Sequence, residues 1–106
     1  MMTLTSKQRA YLRSLAANID TILMVGKSGL SDELIKQAAD ALVKREIIKG
    51  KVLETAPLSP AEAANAIAQA TDSVMVQVIG TKFVLYKKNE KEPVIQLPRA
   101  PRHQDI

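Results

Sequence analysis

Gly26-Lys27-Ser28-Gly29 is the stretch of this chain whose residue types and spacing best suit chemistry at a surface. Two glycines let the backbone turn sharply and approach another molecule with no Cβ in the way. The strand-like run Thr21–Val25 leads into them, and Leu30-Ser31-Asp32-Glu33 then opens a helical pattern, so the unpaired amides of the helix's first turn face whatever anion arrives. That is the arrangement of a phosphate cradle, with Lys27 as a mobile positive charge and Ser28 as a hydroxyl donor. Gly-Lys-Ser also ends a Walker A motif, which needs a further glycine five positions before Gly26; that position is Thr21, so nucleotide hydrolysis is excluded. A plainer alternative stays open, in which both glycines only shape a strand-to-helix turn.

Composition narrows the chemistry further. With 106 residues and 46% hydrophobic content the chain fits one domain with an ordinary core. It has no cysteine and a single histidine, His103, near the C-terminus, which removes disulfides, thiol nucleophiles and most zinc sites. Residues 1–13 hold no signal-like apolar run, and no stretch approaches the roughly 20 apolar residues of a membrane span, so a cytoplasmic location without a membrane partner is expected. Asp32 and Glu33 beside the loop are more simply first-turn carboxylates favoured by the helix dipole than a catalytic or metal pair. No enzyme, cofactor, metal or small-molecule substrate is expected.

The net charge of +4 is unevenly spread. Residues 1–51 carry nine Lys/Arg against five Asp/Glu, residues 52–81 carry three acids and no base, and residues 82–88 carry three bases and no acid. A basic surface assembled from two separated stretches is what a polyanion-binding domain presents. A solvated surface with a mild excess of lysine is the alternative.

The elements that must position these residues follow from periodicity. Thr5-Ser6-Lys7-Gln8 fits a capping box, and Tyr11, Leu12, Leu15, Ala16 and Ile19 recur at helical spacing, giving a helix over about 6–17 with Lys7, Arg9 and Arg13 on its other face. Ser31 can cap a second helix reaching about Arg45, with Asp32/Lys36 and Asp40/Lys44 as supporting i,i+4 pairs. A strand over about 47–53 sends Ile48, Gly50 and Val52 to one side and Lys49 and Lys51 to the other. Ser59-Pro60-Ala61-Glu62 starts a third helix over about 60–71. Strands over about 73–79 and 82–87 follow, the first alternating Val74, Val76 and Val78 against Met75 and Gln77, with Gly80-Thr81 as a tight hairpin turn.

The order α-β-α-β-α-β-β predicts an α/β (α+β two-layer) fold: a small four-stranded mixed sheet with the helices on one face. The other face would be open, and alternation assigns Lys49, Lys51, Lys82, Tyr86 and Lys88 to it. A domain over 1–88 and an extended C-terminal tail over 89–106, marked by Pro93, Pro98 and Pro101 and with few packing demands, complete the organisation.

Taken together, Leu4-Thr5-Ser6-Lys7-Gln8 with Leu12-Arg13, Val25-Gly26-Lys27-Ser28-Gly29-Leu30, Glu46-Ile47-Ile48-Lys49-Gly50-Lys51, Val76-Gln77-Val78-Ile79-Gly80, Val84-Leu85-Tyr86-Lys87 and Leu97-Pro98-Arg99 resemble the CRM domain family (chloroplast RNA splicing and ribosome maturation) in its stand-alone bacterial, YhbY-like form. The resemblance implies a fold similar to the C-terminal domain of translation initiation factor three. It also implies a non-enzymatic protein that binds structured ribosomal RNA and assists assembly of the large ribosomal subunit on its precursor particle; a monomer is expected. Two positions depart from the family's usual pattern: Gly50 replaces a branched apolar residue, which predicts a locally weaker strand, and Lys87 replaces an arginine, giving up bidentate phosphate geometry.

With Tyr11, Phe83 and Tyr86 as the only aromatics, a base-stacking platform has too few parts, and recognition through phosphates and RNA shape is expected. The candidate RNA-binding residues are Gly26, Lys27, Ser28 and Gly29 in the loop and Lys49 and Lys51 on the sheet. Lys7 and Arg13 on the first helix and Lys44 and Arg45 at the end of the second extend the set. The rival reading is a protein-interaction adaptor that meets ribosomal proteins or an assembly GTPase through the open sheet face.

Overall fold

A computed structural model describes residues 4–95 and 97. Its elements are α1 (Ser6–Ala16), β1 (Thr21–Val25), α2 (Asp32–Arg45), β2 (Ile47–Val52), α3 (Pro60–Thr71), β3 (Val74–Ile79) and β4 (Lys82–Tyr86). Each helix begins at the cap that its sequence offers. The Thr5 and Ser59 side chains accept from the N3 amides of Gln8 and Glu62, whose side chains return the bond to the cap amides, and Ser31 Oγ accepts from Leu34 N–H. The bonds from Ser59, backbone N–H first and hydroxyl second, hold the Glu62 carboxyl below its usual pKa.

The sheet runs β1-β2-β4-β3. β1 and β2 are parallel, and β4 inserts antiparallel to both β2 and β3. Gly80, at φ +59, opens the β3–β4 hairpin without strain. The crossovers β1-α2-β2 and β2-α3-β3 advance across the sheet in the same direction, so their common right hand puts both helices on one face. There Leu34, Ala38 and Leu42 of α2 and Ala63, Ala64 and Ile67 of α3 pack with Leu23, Val25, Ile48, Val52, Phe83 and Leu85.

The first helix corrects the expectation that all helices share one face and that two layers suffice. Leu12 and Ala16 of α1 pack with Ile47, Val76, Val84 and Tyr86, which alternate away from the α2/α3 side, so α1 lies on the opposite face and the sheet is sandwiched. No crossover constrains α1, because it precedes the first strand, and its apolar stripe goes where uncovered apolar surface remains. Tyr86, expected on an open surface, is consequently 1% exposed.

A bulge at Val76 is the second correction. Met75 pairs with Leu85 and Gln77 with Val84, so Val76 is the extra residue, and the alternation reverses there. Met75 and Val78 face the α2/α3 core, whereas Val74 and Val76 face α1, and Gln77 stands opposite Val84 on the α1 face. Arg9 secures the bulge: its Nη1 donates to the carbonyls of Met75 at 2.6 Å and Val76 at 2.9 Å, tying α1 to β3.

Gly50 is packed rather than weak. A Cβ on it would lie 2.3 Å from Phe83 Cζ and within 2.8 Å of both Phe83 Cε atoms, so the ring of its cross-strand partner occupies the space that a branched side chain would fill.

The segment after β4 has no helix or strand through Ile95, yet it packs more closely than its prolines suggest. Glu46 ends α2 at φ 63 and is fully buried. Its carboxylate accepts from the amides of Asn89 at 2.6 Å, Val94 at 2.6 Å and Ile95 at 2.5 Å. Asn89 Nδ2 adds a bond to Val43 O at 3.0 Å, and Ile95 and Leu97 pack against the α1-side core. A buried carboxylate is tolerated only with such a full set of donors.

Candidate nucleic-acid interface

The glycine loop is a turn closed by a bond from Gly29 N–H to Gly26 O of 2.9 Å, which leaves Lys27 and Ser28 exposed at its tip. Its two glycines have different reasons to be there. Gly29 sits at φ +68 with a Cβ position 3.3 Å from Pro57 Cγ, so the fold itself requires it. A Cβ on Gly26 would meet only Leu53 Cδ1, at an ordinary 3.7 Å, so the fold does not require Gly26. The start of α2 is less receptive to phosphate than its position suggests: Ser31 already bonds the Leu34 amide, and Asp32 and Glu33 bring two carboxylates into the first turn.

Beside this turn, the α1 face of the sheet is open. α1 covers the end of the face bearing Ile47, Val76 and Tyr86, and the end nearest the glycine turn carries a row that crosses all four strands: Met24, Lys51, Lys82 and Ile79. Met24 and Ile79 are 58% and 62% exposed. Lys51 and Lys82 are direct cross-strand partners, and Lys49 projects to the same side one pleat away, opposite Val84. A groove of about 440 Å³ runs between α1 and this surface, lined by Arg13 and Ser14 above and by Lys49, Gln77, Ile79 and Lys82 below. Among the described residues Lys27, Lys49, Lys51, Lys82 and Arg13 make no ion pair.

The remaining candidate cations are dispersed. Lys7 lies six residues from Arg13, about 9 Å along the helix and a third of a turn around it. Lys44 and Arg45 stand at the far end of α2, about 18 Å from its start, where they edge a second groove lined by Leu15, Ile19, Ile48 and Ile95. The expected Asp40–Lys44 and Asp32–Lys36 ion pairs do not form; such exposed pairs gain too little to hold two side chains in place. Arg9 is engaged at the bulge. Lys87, read above as a phosphate contact of reduced geometry, donates Nζ to Thr71 O at 2.9 Å, one of the last carbonyls of α3. Arg99, Arg102 and His103 lie outside the described residues.

Lys82 joins the cationic surface although it was not among the candidate contacts, and Gln77 lies beside it on a face where alternation did not place it. Lys82 was visible from alternation as a surface lysine, but only the antiparallel insertion of β4 beside β2 places it against Lys51. Gln77 reaches this face through the bulge, for which the sequence carries no signal.

Fold and surface thus define a small α/β module with a cationic half-face beside a glycine turn. The chain belongs to the CRS1/YhbY (CRM) domain family, whose model matches residues 4–87. It is 42% identical over 95 residues to the "Probable RNA-binding protein YqeI" of Bacillus subtilis, covering 90% of this chain and 99% of that one. An RNA-binding protein of Haemophilus influenzae is 37% identical over 99 residues, covering 93% and 99% of the two chains. A hypothetical Staphylococcus aureus protein, solved in solution and described as a proposed RNA binder, matches with a TM-score of 0.75 at 45% identity, over 91% of this chain and 100% of that one. None of the helices among the described residues is long and apolar enough to cross a membrane.

Proposed function

We propose that this protein binds structured ribosomal RNA through the glycine turn and the lysine-bearing half-face, performs no reaction on it, and serves as a monomeric cytoplasmic assembly factor on the precursor of the large ribosomal subunit. The observation that carries the reading is the Lys51–Lys82 pair. Like charges directly opposite on neighbouring strands destabilise a sheet. Here they stand on open sheet surface with no carboxylate partner among the described residues, an arrangement that an anionic ligand relieves. Lys49, Arg13 and Lys27 extend the charge around them, and the names of the Bacillus and Haemophilus relatives supply the class of polyanion.

Met24 and Ile79 at the two ends of the lysine row favour a second reading, an adaptor that meets a ribosomal protein or an assembly GTPase through this face. The two separate by salt response. Neutralising ~3–5 phosphates gives a log–log slope of roughly −2 to −4, whereas an apolar interface gives a much flatter one.

Lys27→Glu tests the site. An exposed turn residue has little structural role, so the variant keeps its melting temperature while its affinity for precursor large-subunit RNA falls about tenfold or more at low salt. Unchanged affinity in the folded variant removes Lys27 from the interface. Crosslinking in cells, followed by sequencing of the attached RNA, tests the assembly role, which fails if fragments from outside the precursor subunit predominate.

A further inference from the structure

The groove beneath α1 holds more than phosphate binding uses. Its floor is aliphatic, made by buried Val84 and exposed Ile79, and the end of α1 roofs it with Ala16 and Ala17. Arg13 enters from above and Lys49 and Lys82 from below, none of them ion-paired among the described residues. Into this setting the Val76 bulge delivers Gln77, half-buried, whose side-chain amide bonds no described residue. A phosphate needs only donors, whereas an amide offers a donor and an acceptor side by side. Cations, an aliphatic shelf and an unused amide together fit a ligand with an anionic part and a flat neutral part bearing a hydrogen-bonding edge. A volume of about 440 Å³ accommodates one such unit and is far too small for a duplex.

Resting on the RNA-binding reading above, we propose that this groove takes one unstacked nucleotide, a bulged or looped residue beside a helix. Arg13, Lys49 and Lys82 hold its phosphate, its base lies on the Ile79 shelf, and the Gln77 amide bonds the base edge. Bases splayed out of a helix are the part of RNA whose edges a protein can read. The glycine turn then grips the flanking backbone regardless of sequence, and Gln77 supplies the preference for an unpaired base.

The test uses the full-length protein and two hairpin RNAs with the same stem. One is fully paired, and the other carries a single-nucleotide bulge replaced by a fluorescent purine analogue. The wild type is expected to bind the bulged hairpin about tenfold tighter and to change the analogue's fluorescence on binding. Gln77→Ala should reduce that preference below about threefold while leaving affinity for the paired hairpin within about twofold. Gln77→Met, which keeps the length of the side chain and removes its amide, should do the same and guards against a folding defect in the first variant. Lys27→Glu should weaken both hairpins alike and leave the preference intact. Equal binding of the two hairpins by the wild type, or loss of both in step on changing Gln77, overturns the proposal while RNA binding stands. Absence of binding to either hairpin at low salt overturns the RNA reading itself, and this proposal with it.

Discussion

The two faces of the sheet are made by the same four strands and have opposite fates. One is sealed from end to end by α2 and α3, which two crossovers of the same hand are obliged to place there. The other receives only α1, a helix of 11 residues and about 16 Å, which covers the Tyr86 end and stops. Connectivity therefore decides how much sheet is left for a partner. Where no helix demands burial, β2 and β4 carry lysines facing one another; where helices do, the same strands carry Ile48, Phe83 and Leu85.

Changing the sealed face should give the largest effect. Gly50→Val drives a branched side chain into Phe83, and overpacking of this kind costs about 3 kcal/mol, lowering the melting temperature by ~10 °C or more. Adding Phe83→Leu should return part of that loss; a double variant as unstable as the sum of the single ones would show that the pair is not coupled. The open face should respond in the opposite sense. Lys49→Glu with Lys51→Glu removes two phosphate partners, so RNA affinity should fall about a hundredfold, ~2.7 kcal/mol, and the salt slope by about two units. Yet Lys51→Glu turns a cross-strand repulsion with Lys82 into an attraction, so thermal stability should hold or rise by a few tenths of a kcal/mol. A folded double variant with wild-type affinity and slope would limit the interface to the glycine turn.

The smallest effect at neutral pH belongs to Tyr86, under α1 at the covered end. Burial first, then the charges of Glu46 and Glu90, push its phenol from 10.0 up to about 12. The native state thus keeps its proton over a range where the unfolded chain has lost it, and this contribution is fully present below pH 10 and disappears as pH rises toward 12. Tyr86→Phe should match the wild type in urea midpoint at pH 8 and be more stable by about 1–2 kcal/mol near pH 12. Parallel pH dependence in the two proteins would mean that the ring is not sealed there.

Local signals carried most of this architecture. Thr5, Ser31 and Ser59 cap the helices expected of them, and the glycine at 80 makes the hairpin turn. Helix, strand and loop boundaries are decided by neighbours a few residues apart, which is why they were legible. The side taken by α1 is decided by surface left over after the crossovers form, a property of the assembled sheet. One sequence signal did exist: Phe83-Val84-Leu85-Tyr86 is apolar at every position, as in a strand buried on both sides, which requires a covering layer on each face of the sheet. For the candidate site, the glycine turn and the strand lysines were readable from residue type and alternation. That Arg9 and Lys87 bond backbone carbonyls, and that Gln77 reaches the open face, was not readable, since each depends on a long-range contact or on the bulge.

Glu46 also sets the order in which this molecule can finish being made. Its carboxylate is fully buried where α2 passes into β2, yet the amides that satisfy it belong to Asn89, Val94 and Ile95. A nascent chain that has just released β2 holds an anion with nowhere dry to go. At 5–20 residues per second the partner amides follow about 2–10 s later. Until then the junction of α2 and β2 stays wet, and the domain locks only when the segment after β4 has folded back onto it.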